Sequence, residues 1–367
     1  MFLLAHKNLL VHKGRFLLAT AGITCAVVLM LLLMGLYAGW REEMSIYLRH
    51  VNADLWIGQK GAWDLFDTLS LLPDQGEQML EQAVEIAKVS SFIGRVVTCY
   101  VRGQQRHTFV IGVDDADNGP VDVILGSSNL HDGEIIVDQV FARNEDIHIG
   151  DTVQVTGHTL SVIGVARGGN FFLYQDSFVT LSEAKRLLGL DGLVNYFLVR
   201  LAPGIEIDEA VSQIEDTAPQ VSAFSKERFI ANNLSLTGDN FLPILRVLEV
   251  IAVLVGTLVI GLTVYTLTVE HDSEYGVLKA IGASNRVLYG TAALQALCCG
   301  LLGWLLGVPL SWGVVNLVQY FVPQFPAAAS LLHAVWMFGW VLVMSLVAAS
   351  VPVRHIARID PMLAFKG

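Results

Sequence analysis

Four long apolar runs interrupt an otherwise mixed chain, and their lengths set the architecture. Phe16 to Trp40 carries no charged residue over 25 positions, enough helix to cross a hydrocarbon core of about 30 Å. Three further runs follow, at about Leu248 to Val269, Val287 to Val322 and about Leu331 to Val353. Each predicts a transmembrane helix. The third run is longer than one crossing requires, so its helix is expected to leave the bilayer near Val318, with Pro309 as a bend or a local hydrogen-bond adjustment. No small-residue cleavage site closes the first run, which reads as a retained anchor. Ahead of it, Leu3, Leu4, Leu9, Leu10 and Val11 alternate with His6, Lys7, His12 and Lys13. That pattern fits an amphipathic helix along the inner surface, or a simple polar cap to the first span. Gly303 and Gly307 form a small-xxx-small pair that admits a close helix neighbour, including one from a second copy.

Between the first two runs the pattern changes to period two. Strands are predicted at Arg95 to Val101, His107 to Val113, Glu134 to Val137, Thr152 to Val155, Thr159 to Val165 and Tyr196 to Arg200. Helices are predicted at Leu71 to Ile86, Ser182 to Leu188 and Ile207 to Glu215, with Ser222 to Leu245 as a helical stalk feeding the second span. The fold class is thus an α-helical membrane protein with four transmembrane helices and a large α+β extracytoplasmic domain inserted between helices 1 and 2. The expected divisions are an N-terminal amphipathic helix over 1–15, helix 1 over 16–40, the outer domain and stalk over 41–240, and the stalk end with helix 2 over 241–269. A cytoplasmic coupling segment over 270–286, helix 3 over 287–318, an outer segment over 319–330, helix 4 over 331–353 and a cytoplasmic tail over 354–367 complete the chain.

Charge fixes the orientation. The chain is 53% hydrophobic and 16% charged, against about 25% charged in soluble proteins, and its formal net charge is −11. From Arg41 to Asn240 there are 14 Lys plus Arg against 29 Asp plus Glu, a net of −15, while the remainder has 9 against 5, a net of +4. Lys7, Lys13 and Arg15 precede the first span, Lys279 and Arg286 separate the second and third, and Arg354, Arg358 and Lys366 follow the fourth. Positive short loops face the cytoplasm, so the acidic domain is outside. Its acidity argues against nucleic acid as a partner of that domain, since phosphate binding requires a basic surface. Trp40, Tyr47 and Tyr320 are expected at the membrane interface. Cys25, Cys298 and Cys299 lie in apolar runs and Cys99 stands alone, without a disulfide framework or metal-type spacing.

Chemistry-bearing residues are sparse. No Gly-rich loop ends in Gly-Lys-Ser or Gly-Lys-Thr, so an active transporter of this sequence would draw its energy from another subunit. Asp114, Asp115, Asp117 and Asp122 read as a solvated loop after a strand, because calcium-loop spacing is absent. His131, Asp132, Glu134 and Asp138 read as a turn leading into a strand. Gly168, Gly169 and Asn170 form a flexible turn before Phe171, Phe172 and Tyr174, an aromatic cluster that suits either core packing or an apolar ligand. Arg246 and Glu249, three apart at the outer end of the second span, fit a boundary role or a ligand route. With the three aromatics they make the candidate substrate route. Between the second and third spans, Glu270 to Arg286 joins charge to a short apolar face, Val277, Leu278 and Ile281, and a glycine break at Gly282. This composition suits docking on a cytoplasmic protein.

That segment also resembles a family signature. Glu274, Gly276, Val277, Leu278, Lys279, Ala280, Ile281, Gly282, Ala283 and Ser284 match the E-x-G-V-L-K-A-I-G-A-S motif of MacB/FtsX/LolC-type ABC transporter permeases. The tail is similar too, through Arg354, Ile356, Ala357, Arg358, Ile359, Asp360, Pro361, Ala364 and Phe365, as is the entry to the first span through Asn8, Leu9, Lys13 and Gly22. Length and the segment Leu48 to Trp56 resemble the four-span branch that includes DevC and the haem-exporter HrtB permeases. The resemblance implies a homodimer, with a second copy of this chain, bound to two copies of a separate cytoplasmic ABC ATPase. ATP and Mg would bind that ATPase, and no cofactor would bind this chain. Glu274, Gly276, Val277, Leu278, Lys279, Ile281, Gly282, Arg286, Arg354 and Arg358 would form the ATPase-coupling surface. The outer domain would move in response to ATP-driven closure, extruding a hydrophobic or amphipathic substrate such as haem, glycolipid or peptide. A periplasmic adaptor and an outer-membrane duct are optional further partners. The alternative is an FtsX-like regulator that activates an extracytoplasmic cell-wall enzyme.

Overall fold

Residues 13–170, 174–270, 272–328 and 330–357 are described by the computed structural model, so the amphipathic helix expected over 1–15 lies almost wholly outside the described residues. The chain divides into an outer unit, Gly39–Asn240 with Val322–Pro326, and a membrane unit made of the rest. Helix α1 (Lys13–His50) runs past Trp40 because Met44, Tyr47 and Leu48, at helical spacing, bury in the outer unit's core. Tyr47 is therefore not an interface aromatic. It is fully buried, and its hydroxyl donates to the Asn118 carbonyl at 2.8 Å.

In chain order the outer unit continues through β1 (Leu55–Gln59), β2 (Leu72–Pro73), α2 (Glu77–Ala83), β3 (Ile86–Val101), β4 (Gln104–Val113), β5 (Asp122–Gly126), β6 (Glu134–Asp138) and α3 (Gln139–Asn144). It then adds β7 (Thr152–Val155), β8 (His158–Arg167), β9 (Asp176–Thr180), α4 (Leu181–Leu188), β10 (Leu193–Val194), β11 (Tyr196–Leu201), α5 (Ile207–Thr217) and β12 (Val221–Ser225). Among the described residues ten strands form one mixed sheet in the order β12-β1-β11-β3-β4-β9-β6-β8-β5, with β7 joined to β3 and β8. Only β4–β9 and β6–β8 are parallel among its pairs.

Successive residues of these strands enter two different cores. Leu55 and Ile57 join one cluster and Trp56 the other, as do Ile135 and Val137 against Ile136. A sheet covered on both faces yields unbroken apolar runs. Leu71 to Ile86 does not form one helix. Pro73 and Gly76 break it into β2, a 3-10 turn and the seven residues of α2, and Ile86 already belongs to β3. Likewise Ser222 begins not in a stalk helix but in β12, which pairs with β1.

The membrane unit takes α1 up to Ala38 and, from Phe241 on, α6 (Lys226–Glu270), together with α7 (Asp272–Ala280), α8 (Asn285–Phe321) and α9 (Leu331–Ala357). Among the described residues, four helices are long and apolar enough to cross a membrane: Thr20–His50, Leu242–Glu270, Asn285–Phe321 and Leu331–Ile356. α8 continues through Pro309 to Phe321. The glycine pair of α8 is used inside the chain. A Cβ on Gly303 would lie 2.4 Å from Ile23 Cγ2, and one on Gly307 would lie 2.6 Å from Val27 Cγ1. Thr24 Oγ1 donates to the Gly303 carbonyl at 3.4 Å. α1 thus occupies the face that the glycines open, the close approach that small residues permit between membrane helices.

Candidate coupling site

α7 is nine residues long and ends in a glycine stop. Gly282 has φ +96°, its N–H donates to the Lys279 carbonyl at 3.0 Å, and the Ala283 N–H reaches the Leu278 carbonyl at 2.9 Å. These are the paired bonds of a Schellman motif, which favours glycine at the left-handed position. The next helix, α8, begins at Asn285.

The periodicity of α7 sorts its residues. Tyr275 and Leu278 turn inward, Tyr275 fully buried and Leu278 packed against the membrane unit's core. Glu274, Val277 and Ile281, at i, i+3 and i+7, are exposed; Val277 is 47% and Ile281 76% accessible. Gly276 is buried and Arg286 exposed. Lys279 is half-buried and donates Nζ to the Ile356 carbonyl at 2.7 Å, in the last turn of α9. A cation on those carbonyls complements the helix dipole and ties α7 to α9. Arg354, in the same last turn, is exposed, and Arg358 lies outside the described residues. Of the apolar face read from the sequence, Val277 and Ile281 face outward and Leu278 does not.

The residues of the candidate substrate route fall in different units. Arg246, exposed, and Glu249, half-buried, lie on α6 in the membrane unit. Tyr174 is half-buried against the aromatic core of the outer unit, and Phe171 and Phe172 lie outside the described residues. The outer acidic groups are mostly tied into local structure. Asp114 accepts from the Ser91 N–H at 2.8 Å, and burial raises its pKa; Asp115 pairs with Lys88 at 2.5 Å. Asp132 accepts from the Thr180 and Ser182 hydroxyls, and His131 Nδ1 lies 3.2 Å from Glu134 Oε2. Two groups missed in the sequence are Asp176, buried with no hydrogen-bond partner on either oxygen among the described residues, and Gln324, which is gripped by Asn144 and Asn170. Asp138 stands in the segment read as a turn leading into a strand and caps α3, while nothing local marks Asp176.

Fold and site together define a multi-pass membrane protein with a large extracytoplasmic α+β domain and a short helix with a glycine stop between its second and third spans. The MacB-like periplasmic core domain family matches residues 16–217, and the FtsX-like permease C-terminal family matches residues 246–361. This chain belongs to the MacB/FtsX-like family of ABC transporter permeases. It is 23% identical to an uncharacterized ABC transporter permease of Mycobacterium tuberculosis over 100% of both chains. It is 21% identical to a protein named "Putative hemin transport system permease protein HrtB" of Staphylococcus haemolyticus over 99% of both. The crystal structure of the periplasmic region of MacB from Actinobacillus actinomycetemcomitans covers 49% of this chain and 92% of that one, at 12% identity and a TM-score of 0.39. The protein is a transport permease of the inner membrane with its large domain extracytoplasmic. Members of the family pair with an ATPase and form larger complexes.

Proposed function

We propose that this chain is the permease subunit of an ATP-driven exporter that works by mechanotransmission. In this reading two copies of the chain assemble with two copies of a separate cytoplasmic ATPase. The outward face of α7 carries the proposal, because Glu274, Val277 and Ile281 present apolar surface framed by charge beside Arg286, on the side of the membrane where ATP is hydrolysed. Lys279 joins that face to the end of α9, so a push on α7 reaches two spans through one hydrogen bond and the Gly282 turn. ATP-driven closure then changes outer-domain affinity for substrate, the differential binding that any such cycle requires.

The substrate assigned by this reading is hydrophobic or amphipathic: haem, a glycolipid or a peptide. Likeness to the HrtB protein over nearly the whole of both chains supports haem within that class and a place in the four-span branch with DevC and HrtB. A periplasmic adaptor and an outer-membrane duct would complete the path in a two-membrane envelope. Copurification with the cognate ATPase, reconstitution in lipid and ATPase assays against haem, lipids and peptides test the reading. Saturable stimulation by one class, with ATP-dependent movement of that ligand, is the expected result. Hydrolysis indifferent to every ligand but altered by an extracytoplasmic hydrolase would replace export with FtsX-like regulation.

A further inference from the structure

Asp138 closes β6 and Asp176 opens β9, and the antiparallel register Ile136↔Phe178, Val137↔Ser177 sets them opposite each other at the next position. Like charges placed so are mutually unfavourable. Both carboxyls converge on Gly169. Its N–H donates to Asp138 Oδ2 at 3.2 Å, its carbonyl accepts from the Asp176 N–H at 2.7 Å, and a Cβ there would lie 2.9 Å from Asp176 Oδ2. Asp138 Oδ1 also accepts from the Val140 N–H at 2.7 Å, capping α3. Asp138 is 1% exposed and Asp176 0%.

Two ionised carboxylates cannot share a dry site without a counter-charge. On α1, Glu43 couples to Asp138 and Tyr47 to Asp176, and neither is a cation. Asn170, Gln175 and Gln324 on the turn side are neutral. Arg167, just before the turn, is committed to Asp122 at 2.6 Å. Burial pushes Asp138 up to about 6 and drives Asp176 further in the same direction, with Asp138 adding to it. Among the described residues no group of three or more His, Cys, Asp or Glu is placed to hold a metal ion.

The same pair organises a clasp. Asn144, at the end of the helix that Asp138 caps, donates Nδ2 to Gln324 Oε1 at 3.1 Å; Asn170, next to Gly169, donates Nδ2 to the Gln324 carbonyl at 3.3 Å. Gln324 lies in the short connection between α8 and α9, and Val322–Pro326 belongs to the outer unit. We propose that Asp138 and Asp176 form a proton-binding site of the outer domain, which when loaded latches Gly169 and both arms that hold Gln324, and which loosens that clasp when the proton leaves. The site makes the extracytoplasmic pH an input to the permease. Its effect on ATP-driven transport rests on the function proposed above; the site itself does not.

The sign is opposite to ordinary acid denaturation. Both pKa values are raised on folding, so the stabilisation is full below about pH 4, the unfolded aspartate range, and is lost as pH rises through about 6 and beyond. Hydrogen exchange on the full chain in lipid nanodiscs, corrected for intrinsic rates, reads it at the amides of Val140, Gly169 and Asp176. Protection should fall on the order of tenfold or more between pH 5 and pH 8, and Asp138→Asn, which mimics the neutral form of the carboxyl raised to about 6, should remove that pH dependence. Equal protection at the two pH values in the wild type, or a fall that survives in Asp138→Asn, overturns the proposal. Should that variant not fold, infrared spectroscopy of the wild type decides instead: a protonated-carboxyl band that disappears as pH rises from 5 to 8 supports the site, and its absence at pH 5 overturns it. Protection restored at pH 8 by calcium and removed by EDTA would assign a cation in place of the proton and overturn it as well. None of these readouts involves the ATPase, so failure of the export reading leaves them intact.

Discussion

In the membrane helices Thr257, Thr263, Thr268 and Thr291 each donate to the carbonyl four residues back, at 2.7–3.1 Å, whereas the outer unit bonds its polar groups across long stretches of chain. There Tyr47 reaches Asn118, Asn233 Oδ1 accepts from the Leu65 N–H at 2.8 Å, and Asn195 takes the Gly94 N–H at 3.0 Å while donating to the Ser70 carbonyl at 2.7 Å. The contrast follows from the solvent. In lipid a polar group finds no water on the way to its partner, so helices satisfy most groups internally, and apolar packing at small residues is joined by a few bonds to backbone carbonyls of other helices, such as Thr24 to Gly303 and Trp304 to Ala334. The outer domain folds in water and uses buried side-chain bonds to fix its loops on the sheet. One half of the molecule is thus specified mainly by shape with a few polar ties to backbone carbonyls, and the other by shape together with many side-chain bonds to its loops.

The largest effect should come from removing the outer unit's central ring. Trp56 is fully buried, stacks on Phe229 at 4.4 Å between centroids and meets Phe92 and Tyr196 edge-on at 5.2 and 5.9 Å. Trp56→Ala should cost about 4 kcal/mol in that unit. Hydrogen exchange on the full chain should show lost protection in β1 and β11, with α8 and α9 unchanged. Equal loss in the membrane helices would show that the two units are not separately stabilised.

Overpacking the helix contact is the matching test on the other side. Gly303→Val would drive a side chain into Ile23, at about 2 kcal/mol. The expected reading is a lower midpoint in detergent titration with outer-domain exchange unaltered, and partial recovery in Gly303→Val combined with Ile23→Ala. Without recovery, the glycine would be required for something other than room against α1.

These contrasts also explain what the sequence made legible. Four spans and their order around the outer domain were readable because helix length and apolar content are local properties. Strands with one wetter face, such as Thr152–Val155, were readable from alternation, but β1 and β9, covered on both faces, showed none. The aims of α7 side chains needed the fold. Leu278 and Ile281 are neighbours in one apolar pattern, and only packing against the membrane unit's core tells which of them points in. Asp138 and Asp176 are 38 residues apart and meet only through the register of β6 with β9. No short-range pattern encodes such a pairing.

The smallest effect on stability should fall on the exposed face of α7, and it is the sharpest test of the coupling site. Ile281 is 76% accessible, so Ile281→Glu removes little buried area and should change stability by less than about 0.5 kcal/mol. Leu278→Glu, at the inward position, would bury a charge in the membrane unit's core and should lower the yield of folded protein. Gly282→Ala lies between: a Cβ there meets open space, but φ +96° strains any other residue, at about 1 kcal/mol. If α7 docks the ATPase, Ile281→Glu alone should leave the fold intact and still weaken copurification of the ATPase on the order of tenfold, the usual cost of one apolar anchor. Full copurification and ligand-stimulated hydrolysis in Ile281→Glu, with Val277→Glu equally silent, would move the contact off this face. It would leave Lys279 and the end of α9 as the route by which force enters the spans.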